Sequence, residues 1–174
     1  MSNFEQALAY TLVNEGGYSD DPADSGGPTN LGLTLTDLRE AGLPTTVEYI
    51  KQLTPEQAAP IYRQFYWNPL SLDQVTDNSI STAVFDIAVV RGIGMSAQLA
   101  QIVCNGYGAA LAVDGAVGPL TLKALNTIGR KTFICEFEMH VASGFQRIVM
   151  DNPSQEVFLN GWLARARRLL QLAQ

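Results

Sequence analysis

The chain has 174 residues, 47% of them hydrophobic and 16% charged, which suits one compact domain or two small subdomains around a shared core. Its formal net charge of -6 argues against duplex nucleic acid as a partner, because proteins that hold DNA neutralise its phosphates with lysine and arginine. No stretch reaches the roughly 20 apolar residues that span a bilayer, which argues against membrane insertion. Cys104 and Cys135 are too few for a secreted disulfide scaffold, and both fall where the chain reads as helix. Residues 1–13 have neither the basic start nor the continuous apolar run of a secretory signal. The expectation is synthesis in the cytoplasm and a separate exit route to any outside target.

Residues 4–14 place Phe4, Leu8 and Leu12, flanked by Ala7 and Thr11, on one helical face, with Gly16 and Gly17 as the stop. A long loop of turn residues follows over 18–34. Short helices are predicted at 36–40, capped by Thr36, and at 47–52. Thr54-Pro55-Glu56-Gln57 is a strong start signal for a helix that carries Ala58, Ile61, Tyr62 and Phe65 inward and stops before Asn68-Pro69. Further helices are predicted at 79–91, 95–104, 119–128 and 131–150. A last one is capped by Ser154 and holds Phe158, Trp162, Ala166 and Leu169. Strand patterns are few, no internal repeat is found, and the fold class is all-α.

One residue breaks the pattern. On the helical wheel Glu15 lies about 20° from Phe4, so a carboxylate continues the buried face of the first helix. Burial and the negative end of a helix dipole both favour the protonated form, as a general acid for glycosidic cleavage requires. The alternative is a side chain that reaches solvent past the helix end or pairs with an arginine. The loop adds Asp20, Asp21 and Asp24, with hydroxyls at Ser25, Thr29 and Thr34. Aspartates at these positions lack the alternate spacing and closing Glu of an EF-hand, so no metal is expected. Arg165, Arg167 and Arg168 cluster near the end of the last helix, where cations complement the dipole, although an anion-binding patch has the same composition. His140 sits alone on a core helix and reads as structural.

The stretch from Glu15-Gly16-Gly17-Tyr18 through Asp24-Ser25-Gly26-Gly27-Pro28-Thr29-Asn30-Leu31-Gly32-Leu33-Thr34 resembles the signature of glycoside hydrolase family 108. Tyr66-Trp67 and Phe85-Asp86-Ile87-Ala88 are similar to the family's next segments. Residues 113–121 and Gly161-Trp162-Leu163-Ala164-Arg165 resemble its C-terminal peptidoglycan-binding-like module. The resemblance implies a lysozyme-like helical fold of about seven to eight helices with a long functional loop after the first. It implies a muramidase region at 1–93 and a peptidoglycan-binding-like region at 94–174, packed as one globular unit.

The implied activity is N-acetylmuramidase cleavage of peptidoglycan glycan strands, without a cofactor, by a protein that reaches the wall through a holin or secretion pathway. The family's acid falls on Glu15. By looser analogy with phage-type lysozymes, Asp24 and Thr29 form the accessory catalytic pair. Tyr18, Asn30, Tyr66 and Trp67 are candidate substrate contacts, although core packing accounts equally for the last two. Val90-Arg91-Gly92 stands where the family usually has Asn-x-Gly, which bears on cleft geometry. Asp114 and Gly115 read as setting a tight loop. The competing function is a non-catalytic wall-binding protein or a structural part of a phage or secretion machine.

Overall fold

A computed structural model describes residues 2–20 and 27–174, and its described residues hold nine α-helices and one two-stranded sheet.

Helix α1 (Asn3–Leu12) opens with a reciprocal cap. The Glu5 amide donates to Ser2 Oγ at 3.3 Å, and the Ser2 amide donates to the Glu5 carboxylate at 2.8 Å. Phe4, Ala7, Leu8 and Thr11 are buried, as their spacing predicts. The helix ends at Leu12, two residues short of the predicted end, so Glu15 lies in the turn beyond it. Gly16 and Gly17 therefore do not form the stop; neither has a positive φ, and nothing in the structure requires glycine there.

Strands β1 (Thr29–Asn30) and β2 (Leu33–Thr34) pair antiparallel, Thr29 opposite Thr34 and Asn30 opposite Leu33. Leu31 and Gly32 between them have φ values of 51° and 73°. Two consecutive positive values make the tight hairpin turn whose twist matches its strands. Ser19 and Thr29 exchange two backbone hydrogen bonds of 2.8 Å each, which moors the chain after Glu15 to the hairpin.

Thr34, rather than Thr36, caps α2 (Leu35–Glu40), because Asp37 three residues on completes a capping box that Thr36 lacks. Helices α3 (Val47–Lys51) and α4 (Pro55–Tyr62) follow, the latter with the predicted Thr54–Gln57 box. A π-helical turn, Arg63–Trp67, extends α4 to Asn68.

Helix α5 (Asn78–Arg91) is the axis of the molecule. Asp77 caps it, and every residue from Ile80 to Ala88 is buried, so it is covered on all sides. Helix α1 covers one side, while α6 (Ile93–Gly106) and α8 (Arg130–Asp151) cover others. Ser96 of α6 donates to the Val84 carbonyl at 2.7 Å. Phe4, Trp67 and Phe85 meet edge to face at centroid separations of 5.4–6.0 Å. Helix α7 (Pro119–Leu125) sits beside α6 and is shorter than predicted.

Helix α9 (Glu156–Arg168) returns along α8, with Trp162 stacked on Phe145 at 5.2 Å. Ser154 does not cap it; Asn152 caps a short 3-10 turn, Pro153–Gln155, that precedes it. Cys104 and Cys135 are free thiols. No helix of the described residues is long and apolar enough to cross a membrane.

Candidate active site

The site is assembled around a carboxylate that the core cannot leave alone. Asp86 lies on α5 with its side chain wholly buried, where an unpaired charge is prohibitively costly. Arg165 of α9 answers it in bidentate geometry: Nε donates to Oδ2 and Nη2 to Oδ1, both at 3.0 Å. Nη2 also donates to the Asp86 carbonyl at 3.2 Å. The remaining arm, Nη1, donates to Glu15 Oε1 at 2.8 Å. Asn14, next to Glu15 in the chain, donates to Asp86 Oδ1 at 3.5 Å. Burial draws the Arg165 guanidinium down, but the two carboxylates outweigh it and hold the group above its ordinary value.

The second oxygen of Glu15 faces the hairpin. A methyl group added at Gly32 would collide with Glu15 Oε2 and approach the Tyr62 hydroxyl to 2.9 Å. Gly32 is therefore required twice, by its φ of 73° and by the close approach of this carboxylate. The Tyr62 hydroxyl donates to the Leu31 carbonyl at 2.6 Å, fixing the hairpin tip to α4. Burial first, and then the charge of Glu15, push the Tyr62 phenol up, so it stays a donor. Tyr66 lies 5.7 Å from Tyr62, centroid to centroid, and is raised by burial, Asp37 and Glu15. Glu15 itself keeps 15% of its side chain exposed, so it is enclosed by Arg165, Gly32 and Tyr62 yet open to a ligand.

The other sequence-predicted residues divide. Thr29 lies in β1, half-buried, beside the hairpin turn; Asp24, Asp21 and Ser25 fall outside the described residues. Tyr18 is half-buried, with its hydroxyl donating to Asp20 at 3.1 Å and the Lys51 ammonium 5.3 Å from its ring centroid. Asn30 is a structural residue: buried, its amide donates to the carbonyls of Ile50, Lys51 and Leu53 at the end of α3.

Trp67 is fully buried, with its ring edge to face with Phe4 and Phe85 and its indole N–H donating to Asp73 at 2.9 Å. No face is left for a sugar, which corrects the expectation that it contacts substrate. Arg165 does lie in the last turn of α9, as its cluster predicts, but its guanidinium is taken up by Asp86 and Glu15. It and Asp86 are the site residues that reading by local pattern missed. Arg168, by contrast, donates to the Tyr10 carbonyl at 2.7 Å and stacks on that ring.

Three other features lie apart from Glu15. Gln101 clamps the Asp114–Ala116 turn with bonds of 2.8–3.0 Å, and Gly115 has a φ of 79°, so these residues set a tight loop as expected. Arg91 packs over the Phe145 ring at 5.1 Å beside Gly144. A hollow of about 520 Å³ opens between α6, α7 and the start of α8, lined by Cys104, Leu111, Leu120, Lys123 and Ile128. Its lining holds no carboxylate. No group of three potential metal ligands occurs among the described residues.

Comparison with known proteins places this geometry in context. Residues 8–92 match the family described as glycosyl hydrolase 108, and residues 95–167 match one described as a predicted peptidoglycan domain. A solved structure, that of Brucella abortus SagA, superposes with a TM-score of 0.77 at 28% identity, covering 98% of this chain and 92% of that one. No curated protein matches the chain.

Proposed function

From the match of residues 8–92 to the family described as glycosyl hydrolase 108, with a peptidoglycan domain matched behind it, we propose that the chain is an N-acetylmuramidase with Glu15 as its general acid. The two matches support a glycoside hydrolase that acts on peptidoglycan. The proposal adds the bond and the residue. Cleavage falls between N-acetylmuramic acid and N-acetylglucosamine, on the β-1,4 linkage.

The observation that carries the assignment is the placement of the Glu15 carboxylate, which lies within the matched residues 8–92, turns one oxygen toward the hairpin and stays partly open, although it also pairs with Arg165 as the alternative reading of the sequence allows. Arginine only donates, so Oε1 accepts and the acid proton belongs on Oε2. From there it passes to the glycosidic oxygen as the bond to the sugar carbon breaks. Water then completes hydrolysis. In this reading Asp24 and Thr29 orient the water or stabilise the positive sugar, a role supported by the resemblance to phage-type lysozymes. Tyr18 and Tyr66 offer partly open aromatic surface for sugar faces. The residues require no metal or organic cofactor for this chemistry.

Digestion of purified peptidoglycan, with mass spectrometry of the released chain ends, tests the proposal. Reducing ends on N-acetylmuramic acid are expected. Ends on N-acetylglucosamine would reassign the bond, and intact glycan would favour a wall-binding protein that has kept the fold.

A further inference from the structure

The hydrolase match ends at residue 92, yet the group that holds Glu15 stands at residue 165, inside the peptidoglycan module. The guanidinium is fixed before it reaches Glu15. Three of its hydrogen bonds go to Asp86, from Nε and Nη2, and its side chain is 10% exposed. Only Nη1 is left, and it meets Glu15 Oε1. Asn14 ties the neighbouring residue to the same aspartate.

A carboxylate bonded through one oxygen to a clamped partner has little freedom about its terminal torsion. The other oxygen is thereby presented on one side, toward Gly32 and Tyr62. Glu15 otherwise lies beyond the end of α1, where no helical bond fixes its backbone. We propose that Arg165 is a positioning residue for hydrolysis, and that the peptidoglycan module completes the active site by supplying it. The inference rests on Glu15 being the acid. The site is complete only while Arg165 of α9 stays bonded to Asp86 of α5, so cleavage depends on how the module is docked.

Steady-state hydrolysis of soluble, uncrosslinked peptidoglycan strands by the full chain tests this, with melting temperature and binding to insoluble peptidoglycan followed in parallel. In the double variant Asp86→Leu/Arg165→Met the buried ion pair is exchanged for apolar groups of similar volume, a change that is often neutral or stabilising. The expected result is a melting temperature at or above the parent's, KM within about twofold, and kcat lower by about 10- to 100-fold, since small misplacements of catalytic groups cost that much. Arg165→Lys keeps the charge but replaces a planar fork with a point donor, and its kcat should fall between the two.

Parental kcat in a folded double variant would overturn the inference. If the double variant does not fold, Arg165→Lys decides, and parental kcat at a parental melting temperature would overturn it equally. Glu15→Gln in the same assay separates the two assignments. If it is inactive while the double variant is fully active, only the positioning role fails. If Glu15→Gln turns over normally, the acid assignment fails and the positioning role with it.

Discussion

At the scale of single residues the site turns on Glu15 and Gly32, and both stood in one glycine-rich stretch of the sequence. The glycine carries a sharp prediction. Gly32→Ala must hold a positive φ, which costs roughly 1–2 kcal/mol for a residue with a Cβ, and its methyl must also displace the Glu15 carboxylate. Urea denaturation should show that loss, and turnover should fall further than stability alone explains; parental activity would mean the carboxylate moves freely. Arg165 was not legible because it acts on a partner 150 residues away, and no local period reports such a pair. Its three-arginine neighbourhood pointed instead to the helix dipole. The cysteines give a second test. Burial pushes the Cys104 thiol up to about 11, so it stays protonated at pH 8. A disulfide reagent should label half-exposed Cys135 first and Cys104 only on unfolding; two equally fast thiols would contradict this burial.

Elements were legible wherever their signals are local. The Thr54–Gln57 box lies where the sequence puts it, because a cap needs only residues within one turn. Errors arose where two local signals competed. Thr34 displaced Thr36 through its partner Asp37, and Asn152 displaced Ser154 by starting a 3-10 turn. The end of α1 was overextended because Glu15 falls on the helical wheel by coincidence of spacing; the chain has already turned, and the residue's enclosure is tertiary.

Asn30 shows the same limit from the other side. A polar residue within a catalytic signature suggests a sugar contact, yet its amide closes the end of α3. Asn30→Ala should therefore destabilise the fold by about 1–3 kcal/mol, the cost of leaving buried carbonyls unpaired. KM should change little in the remaining folded fraction. Chemical denaturation alongside kinetics checks this, and a raised KM at unchanged stability would restore the sugar-contact role.

For the whole molecule, the mostly helical class followed from repeated three-and-four spacing, while the arrangement around α5 did not. A helix buried on all sides carries no amphipathic signal to show which neighbour covers which face. That burial is also what gives Asp86 its need for Arg165 and brings α9 to Glu15. The hydrolase match and the peptidoglycan-domain match lie side by side in the chain, and Arg165 of the second bonds to Glu15 and Asp86 of the first.

Glu15→Gln asks whether this carboxylate donates the proton. The amide is nearly isosteric and can still accept from Arg165, but it has no proton to give the leaving oxygen. Turnover of purified peptidoglycan, read as released reducing ends, should fall by about 10²–10⁴, while the melting temperature and binding to the wall stay close to the parent's. Near-parental release of ends by a folded Glu15→Gln protein would contradict the account.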